Sequence, residues 1–96
     1  MAAYVVVNVT IRDPFRYDEY RRMATPTVAA YDGRYVARGG AVDVREGDWT
    51  PSRLVILEFP SVERARAWWD SPEYAPLKQM RLESNTGDII VVEGGH

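Results

Sequence analysis

The sequence has no cysteine, and its only histidine is the last residue, His96. Without cysteine the chain forms no disulfide and supplies no thiolate as a nucleophile or metal ligand. A terminal histidine also argues against a Ser-His or Cys-His pair held in a core, a helical HExxH zinc site and a histidine-ligated haem. The acidic residues Asp43, Glu46 and Asp48 match no EF-hand spacing. We therefore predict no metal site and no cofactor.

Long apolar runs and a large net charge are also missing. The net charge is −2, from 12 basic and 14 acidic residues that are interspersed along the chain, which disfavours nucleic acid as a partner. The apolar runs at residues 4–7, 54–57 and 89–92 are too short to span a bilayer. Residues 1–3 contain no basic region of a secretory signal. We therefore expect one domain over residues 1–96, located in the cytoplasm and without a membrane partner.

The residue pattern predicts four strands and two helical regions in the order β-α-β-β-α-β. The strands are predicted at residues 4–11, 34–38, 53–59 and 87–93. This order is that of the ferredoxin-like α+β fold, in which the helical regions cover one face of a four-stranded antiparallel sheet.

Capping signals mark the ends of the predicted helices. The first helix is expected to begin after Asp13, a good N-cap that is followed by proline, and to kink or restart at Pro26. The second region is expected to begin at the N-cap Ser61 and to stop at Asp70. The same combination of an N-cap residue and a following proline recurs at Ser71 and predicts another short helix.

The segment between the second and third strands is rich in glycine and charge. Gly39 and Gly40 are expected to form a bulge or bend, because glycine interrupts strands in this way. Residues 41–45 are expected to continue extended, and residues 46–52 to form a loop without an assigned role. Residues 94–96 are expected to form a loose tail.

Three of the predicted strands are apolar on both faces. In the first, Val5, Val7 and Val9 lie on one face, whereas Val6 and Asn8 lie on the other, mixed face. An antiparallel sheet with one wet face alternates between apolar and polar residues, so something must cover the second face. Because the chain has no further element to do so, we predict a homodimer in which two sheets enclose a largely apolar space.

Five motifs along the chain are specific enough to compare with known families. They are Ala-Arg-Gly-Gly at 37–40, Glu-Gly-Asp-Trp at 46–49, Glu-Phe-Pro-Ser at 58–61, Trp-Trp-Asp-Ser-Pro-Glu-Tyr at 68–74 and Val-Glu-Gly at 92–94. Together they resemble the DUF1330 family of small, uncharacterised bacterial proteins, from Tyr4 to Gly94. The resemblance implies a dimeric α+β barrel fold and no particular activity.

Barrel superfamilies related to that family differ widely in what they do. They include cofactor-independent monooxygenases, muconolactone-isomerase-like enzymes, chlorite-dismutase-like haem proteins and non-enzymatic ligand binders. This relation is one of fold, and fold alone does not carry function.

Glu58 is the leading candidate for a catalytic group. It shares a strand face with Leu54 and Ile56, and a half-buried carboxylate can act as a general acid or base. In the alternative, Glu58 lies near the strand end and pairs with an arginine such as Arg38. Arg38 directly precedes Gly39, where a backbone bend would aim it into a pocket as the partner of an anion.

Four other residues are candidates for binding a ligand: Asn8, Trp69, Tyr74 and Arg81. Asn8 interrupts a valine-rich strand, and a buried amide finds its hydrogen-bond partners in a ligand or in a subunit interface. Tyr74 and Arg81 lie two helical turns apart and, with Trp69, would form an aromatic wall with an arginine. Such a wall suits an aromatic or carboxylate ligand, and ordinary packing of the second helical region is the alternative.

These residues support one leading function and two alternatives. The leading hypothesis is a homodimer that binds a small, largely apolar molecule with an anionic or carbonyl group in a pocket beside the sheet. The first alternative is a cofactor-independent monooxygenase or isomerase with Glu58 as base. The second is a structural or interaction module with a filled core. An enclosed cavity of about 300 Å³ or more would favour the first two.

Overall fold

In a computed structural model that describes residues 1–95, the chain forms four strands and three helices in the predicted order. His96 lies outside the described residues. The elements are β1 (Ala3–Ile11), α1 (Pro14–Ala30), β2 (Arg34–Arg38), β3 (Arg53–Phe59), α2 (Val62–Trp69), α3 (Ala75–Ser84) and β4 (Asn85–Glu93). Because α2 and α3 together form the second helical region, the βαββαβ prediction is confirmed.

The sheet is antiparallel throughout and has the strand order β2-β3-β1-β4. Val5 lies between Leu57 of β3 and Val91 of β4, and this row faces the helices. The next row, which contains Tyr4 and Glu58, faces the other way, because successive strand residues alternate between the two faces.

The hydrophobic core lies between one face of the sheet and the three helices. Val5, Val7 and Val9 are buried there, as the alternation in β1 predicts. The other buried apolar residues of this cluster are Ala3, Tyr17, Ala24, Val28, Val55, Leu57, Phe59, Ala65, Trp68, Tyr74, Leu77 and Met80. The core is therefore mostly aliphatic on the sheet, where Phe59 is the aromatic member, and partly aromatic on the helical side.

Helix α1 begins where the sequence predicts, because the Asp13 carboxylate accepts the Arg16 backbone N–H at 3.1 Å. The helix passes through Pro26 and ends at Ala30, so the predicted restart does not occur. Pro26 is exposed and lies close to the end of the helix, where its missing N–H removes one backbone hydrogen bond and leaves the earlier turns intact.

A buried serine shapes the turn between α2 and α3. The Ser71 hydroxyl donates to the Trp68 carbonyl at 2.8 Å and accepts the Tyr74 backbone N–H at 3.1 Å. These bonds hold residues 72–74 in a turn, so α3 begins at Ala75 rather than directly after Ser71. The turn directs Tyr74 into the core, where its relative exposure is 0%.

Two predictions of extended structure need correction. Residues 41–45 are exposed and form no strand, because no neighbouring strand in the described chain supplies their hydrogen bonds. Strand β4 begins at Asn85, before Gly87. Gly87 has φ 153°, and a Cβ there would lie 1.7 Å from the carbonyl oxygen of Asn8, so only glycine allows β1 and β4 to approach this closely.

The second face of the sheet is apolar and uncovered in the single chain. Val6 and Ile56 lie at its centre, half-buried, and Ile90 and Val92 of β4 are 58% and 46% exposed. We call this surface the outer face. Among residues 1–95, no helix has the length and apolar character needed to cross a membrane.

Candidate ligand-binding site

A cavity lies on the helix-facing side of the sheet, beneath α1 and α3. Its enclosed volume is about 40 Å³, and the whole depression, counted out to open solvent, is about 520 Å³. The lining residues are Val7, Val9, Tyr17, Tyr20, Arg21, Ala24, Tyr35, Arg38, Arg53, Val55, Leu57, Trp68, Tyr74, Arg81, Asn85 and Ile89. The enclosed volume is below the roughly 300 Å³ of an ordinary ligand pocket, so the expected large enclosed cavity is absent from residues 1–95 and a ligand has to occupy the open part or displace side chains.

A β-bulge brings Tyr35 and Arg38 to the same side of β2. Tyr35 lies opposite Leu57 and Arg38 lies opposite Val55, and Val36 is the extra residue between them. Residues three apart on a regular strand face opposite sides, but here both side chains face the helices. The Arg38 guanidinium lies 4.0 Å from the centre of the Tyr35 ring.

The predicted bulge is therefore displaced along the strand. It lies at Val36, whereas Gly39 forms a bend with φ 74°. The bulge, rather than the glycine, directs Arg38 into the cavity. There its Nη2 donates to the Thr25 hydroxyl at 2.6 Å.

Four arginines line the cavity, and none of its lining residues is acidic. Arg21 pairs with Asp18 at 2.5 Å, outside the lining. Arg53 donates from Nε to the Tyr17 hydroxyl at 3.2 Å. Within residues 1–95, Arg38, Arg53 and Arg81 form no ion pair with a carboxylate, so the cavity carries an uncompensated positive charge between apolar walls.

Two tyrosine hydroxyls meet inside the cavity. The oxygens of Tyr20 and Tyr74 are 2.8 Å apart. Burial raises the pKa of Tyr20 well above its ordinary value, and burial also raises the pKa of Tyr74. Both phenols are therefore neutral at pH 7. One hydroxyl donates to the other, which leaves one hydroxyl hydrogen for a ligand.

The raised pKa of Tyr20 predicts a loss of stability in alkali. Unfolded Tyr20 ionises near pH 10, whereas the folded state keeps the phenol neutral to higher pH. Its contribution to the free energy of unfolding is therefore complete below about pH 10 and declines as the pH rises further. Urea denaturation at several pH values should show a shallower alkaline decline for Tyr20→Phe than for the wild type. Identical declines would contradict this prediction.

Arg81 is held by Asn85 at the buried end of the cavity. Its Nη1 donates to the Asn85 Oδ1 at 3.3 Å, and its buried Nε has no hydrogen-bond partner in the described chain. The Asn85 amide is itself anchored, because its Nδ2 donates to the Ser84 hydroxyl at 3.1 Å. Asn85 is 1% exposed.

The structure brings together three of the six residues that the sequence singles out. Arg38, Tyr74 and Arg81 line the cavity. Glu58 lies on the outer face, where it pairs with Arg34 at 2.6 Å and accepts the Tyr4 hydroxyl at 3.2 Å. The alternative in which Glu58 pairs with an arginine near the strand end is confirmed, but the partner is Arg34 rather than Arg38. Arg34 is the direct partner of Glu58 in the register, whereas Arg38 faces the helices.

Asn8 and Trp69 lie outside the cavity. Asn8 is on the outer face, and its buried Oδ1 has no hydrogen-bond partner among residues 1–95. Trp69 lines a neighbouring groove of about 190 Å³ with Ile89 and Val91. The Lys78 ammonium lies 4.3 Å from the centre of the Trp69 ring. The aromatic wall of the cavity is therefore Trp68 with Tyr74, whose ring centres are 4.3 Å apart.

Several cavity residues were not singled out from the sequence: Tyr17, Tyr20, Tyr35, Arg53 and Asn85. Tyr17 and Tyr20 could have been found from their helical spacing, which places them on the face of the helix that packs against the sheet. A buried tyrosine needs a hydrogen-bond partner for its hydroxyl, so both residues are candidates for a polar site. The position of Tyr35 relative to Arg38 depends on the bulge, which the neighbouring residues do not predict. Residues 1–95 contain no group of three His, Cys, Asp or Glu placed to hold a metal ion.

The sequence profile of DUF1330, a domain of unknown function, matches residues 2–95. The chain belongs to the DUF1330 family. The resemblance noted along the motifs is thus confirmed over nearly the whole DUF1330 chain. No functionally curated protein matches its sequence significantly.

Solved structures show the same fold at low sequence identity. A protein of unknown function from Rhodopseudomonas palustris has a TM-score of 0.80 and 18% identity, over 99% of this DUF1330 chain and 83% of that protein. SnoaB, a cofactor-independent oxygenase from Streptomyces nogalater, has a TM-score of 0.71 and 16% identity, over 99% and 94%.

One further solved structure with this fold is described as that of a dimeric protein. It is a protein of unknown function with a ferredoxin-like fold from Bacteroides fragilis, with a TM-score of 0.53 and 12% identity, over 97% of this chain and 95% of that one. These likenesses establish the ferredoxin-like α+β fold of the DUF1330 chain.

Proposed function

We propose that this DUF1330 protein binds a small, largely apolar molecule with an anionic group in the cavity beside the sheet. One observation carries the proposal: four arginines and no acidic residue line a cavity whose other walls are aromatic and aliphatic. The chain as a whole has a net charge of −2, so this positive charge is local. An anion attached to an apolar body matches both the charge and the walls.

A ligand must move side chains at the open side of the cavity, because the enclosed volume is only about 40 Å³. Arg38 donates to the Thr25 hydroxyl and lies over the Tyr35 ring. Arg53 donates to the Tyr17 hydroxyl, lies over the Tyr17 ring and donates to the Arg38 carbonyl at 3.5 Å. Because the donors are charged, each of these hydrogen bonds contributes about 1.5–3 kcal/mol, and the contact with the ring contributes about 0.5–1 kcal/mol. Neither arginine pairs with a carboxylate among residues 1–95, so the two side chains can exchange these contacts for contacts with the ligand and close over it.

The alternative of an enzyme with a carboxylate base has less support in the geometry. Glu58 lies on the outer face, and the cavity lining contains no other carboxylate. The likeness to SnoaB, at 16% identity, is one of fold. Binding is therefore the function that the cavity supports best, and the filled-core alternative is an outcome of the experiment below.

Fluorescence titration with a matched pair of dyes tests the proposal. Anilinonaphthalenesulfonate is anionic, and N-phenylnaphthylamine is its uncharged parent. We expect the wild type to bind the anionic dye more tightly by about tenfold or more, since hydrogen bonds to charged groups contribute about 1.5–3 kcal/mol. The double variant Arg38→Gln/Arg53→Gln should lose part of this preference, because it removes two of the positive charges that line the cavity, and keep its affinity for the uncharged dye.

The double variant Arg22→Gln/Arg66→Gln is the matched control, because it removes the same charge from exposed helix positions. It should retain the wild-type preference. Equal losses in the two double variants would place the dye outside the cavity and contradict the proposal. Failure of the wild type to bind either dye would favour a filled core.

We also propose that two copies of the chain associate through the outer face. Val6, Ile56 and Ile90 form one apolar row across three neighbouring strands of this face, and such an exposed row favours cover by another surface. The buried and unpartnered Oδ1 of Asn8 lies in the same surface, where a second copy can supply a donor. The structural relative from Bacteroides fragilis is described as dimeric. A second copy on this face leaves the cavity open, because the cavity lies on the other side of the sheet.

A further inference from the structure

We infer that the anionic group of the ligand is a carboxylate, held at the buried end of the cavity by Arg81 and the Tyr20–Tyr74 hydroxyl pair. The ligand is then an aromatic or alicyclic monocarboxylic acid. The inference rests on the proposed function and adds to it the chemical group that is recognised and the residues that receive it.

Arg81 presents a free edge to the cavity. Its Nη1 is occupied by the Asn85 Oδ1, whereas its Nε is buried without a partner and its Nη2 makes no hydrogen bond within residues 1–95. The Nε and Nη2 hydrogens point in parallel from one edge of the planar guanidinium. Two oxygens of a carboxylate match this edge in a bidentate pair. A buried N–H without an acceptor is unfavourable, and such a ligand supplies the acceptor.

The other cavity arginines are arranged differently. Arg21 is neutralised by Asp18, and Arg53 already uses its Nε on the Tyr17 hydroxyl. Arg38 is exposed and donates to Thr25. Arg81 alone combines a buried, unpartnered Nε with the absence of a carboxylate partner among the described residues. Arg81 therefore receives the anion, and the other arginines lie nearer the opening.

The tyrosine pair completes the receptor for a carboxylate. Tyr20 and Tyr74 share one hydrogen bond at 2.8 Å, so one hydroxyl hydrogen remains to be donated. Because burial raises the pKa of both phenols, neither hydroxyl becomes a competing anion at neutral pH. The Tyr74 ring also packs against Trp68, so the body of the acid meets an aromatic wall directly beyond its carboxylate.

Asn85 acts as a positioning residue for Arg81. Its Oδ1 accepts the Nη1 of Arg81, and Nδ2 is fixed on the Ser84 hydroxyl. An aspartate at this position would have almost the same shape and would place a carboxylate beside Arg81. Asn85→Asp is therefore expected to satisfy the guanidinium internally and to repel the carboxylate of a ligand.

Calorimetric titration with naphthoate and with naphthamide, its neutral analogue, tests the inference. The wild type should bind naphthoate about 10- to 100-fold more tightly than naphthamide. Arg81→Gln and Asn85→Asp should each reduce this ratio to about one while the affinity for naphthamide changes less than about threefold, which also shows that the variants are folded. Arg66→Gln, which removes an exposed arginine of α2, should retain the wild-type ratio.

The possible failures separate the inference from the proposed function. If Arg81→Gln and Asn85→Asp keep the preference for naphthoate, Arg81 is not the carboxylate receptor, and the cavity remains a binding site for anions near its opening. If the wild type binds neither compound, while anilinonaphthalenesulfonate still binds in the cavity, the monocarboxylic acid class is wrong. If none of the probes binds, the proposed function fails together with the inference.

Discussion

Replacing Ile90 by arginine is expected to convert a dimer into a monomer. Ile90 lies on the outer face beside Val6 and is 58% exposed in the single chain, so the substitution does not disturb the core. In a dimer the new arginines would be buried among the apolar residues of the interface, at a cost of several kcal/mol in each of the two copies. The dissociation constant should rise by at least about a thousandfold, which corresponds to about 4 kcal/mol. Sedimentation equilibrium measures this change as a fall from twice the chain mass to the chain mass.

Leu82→Arg is the matched control for this experiment. Leu82 is 59% exposed and lies on α3, on the helical side of the molecule. The substitution introduces the same side chain at nearly the same exposure, and we expect the dimer to persist. Dissociation of both variants, or of neither, would contradict an interface on the outer face. A monomeric wild type would contradict the dimer itself.

Trp68→Ala is expected to lower the free energy of unfolding by about 3–5 kcal/mol, which is a large share of the stability of a small domain. Trp68 is 2% exposed, and its ring packs against Tyr74 and Phe59 at centre distances of 4.3 and 5.5 Å. Its Nε1 also donates to the Thr27 hydroxyl at 3.0 Å. Truncation removes the packing, leaves a cavity and deprives Thr27 of its donor, so the costs accumulate.

Urea denaturation followed by circular dichroism measures this loss, at one protein concentration because association of the proposed dimer would make the stability depend on concentration. Trp49→Ala is the control, since Trp49 is 62% exposed and should change the free energy of unfolding by less than about 0.5 kcal/mol. A loss for Trp68→Ala as small as that for Trp49→Ala would show that the aromatic cluster does not stabilise the core.

Residues close together in the sequence could be assigned to the site, whereas residues that depend on strand pairing could not. Tyr74 and Arg81 could be predicted to lie together, because they are seven residues apart in one helical region. Both residues line the cavity. Arg38 was also predicted to reach a pocket, but for the wrong reason. The bulge at Val36, rather than the bend at Gly39, directs it inward. A bulge depends on how two strands pair, so the sequence of one strand does not predict it.

Glu58 shows the opposite case. Its alternation with Leu54 and Ile56 was interpreted correctly, since all three residues lie on one face of β3. That face is the outer one, so the carboxylate meets Arg34 and Tyr4 instead of the cavity. Alternation establishes which residues share a face, but the packing of the helices decides which face borders the cavity.

The sequence by itself determined the order of the elements, the burial of one face of β1 and the mixed character of the other. These properties follow from local periodicity and capping, which depend on residues a few positions apart. Only the tertiary structure decided which residues surround the cavity. Its lining contains four arginines and four tyrosines, which come from both helical regions and two strands, and no carboxylate. The physical reason is that such a site depends on strand register, on one bulge and on helix packing, which join residues far apart in the chain. Because the sequence has no cysteine and its only histidine is His96, arginine and tyrosine are the polar groups that define this site.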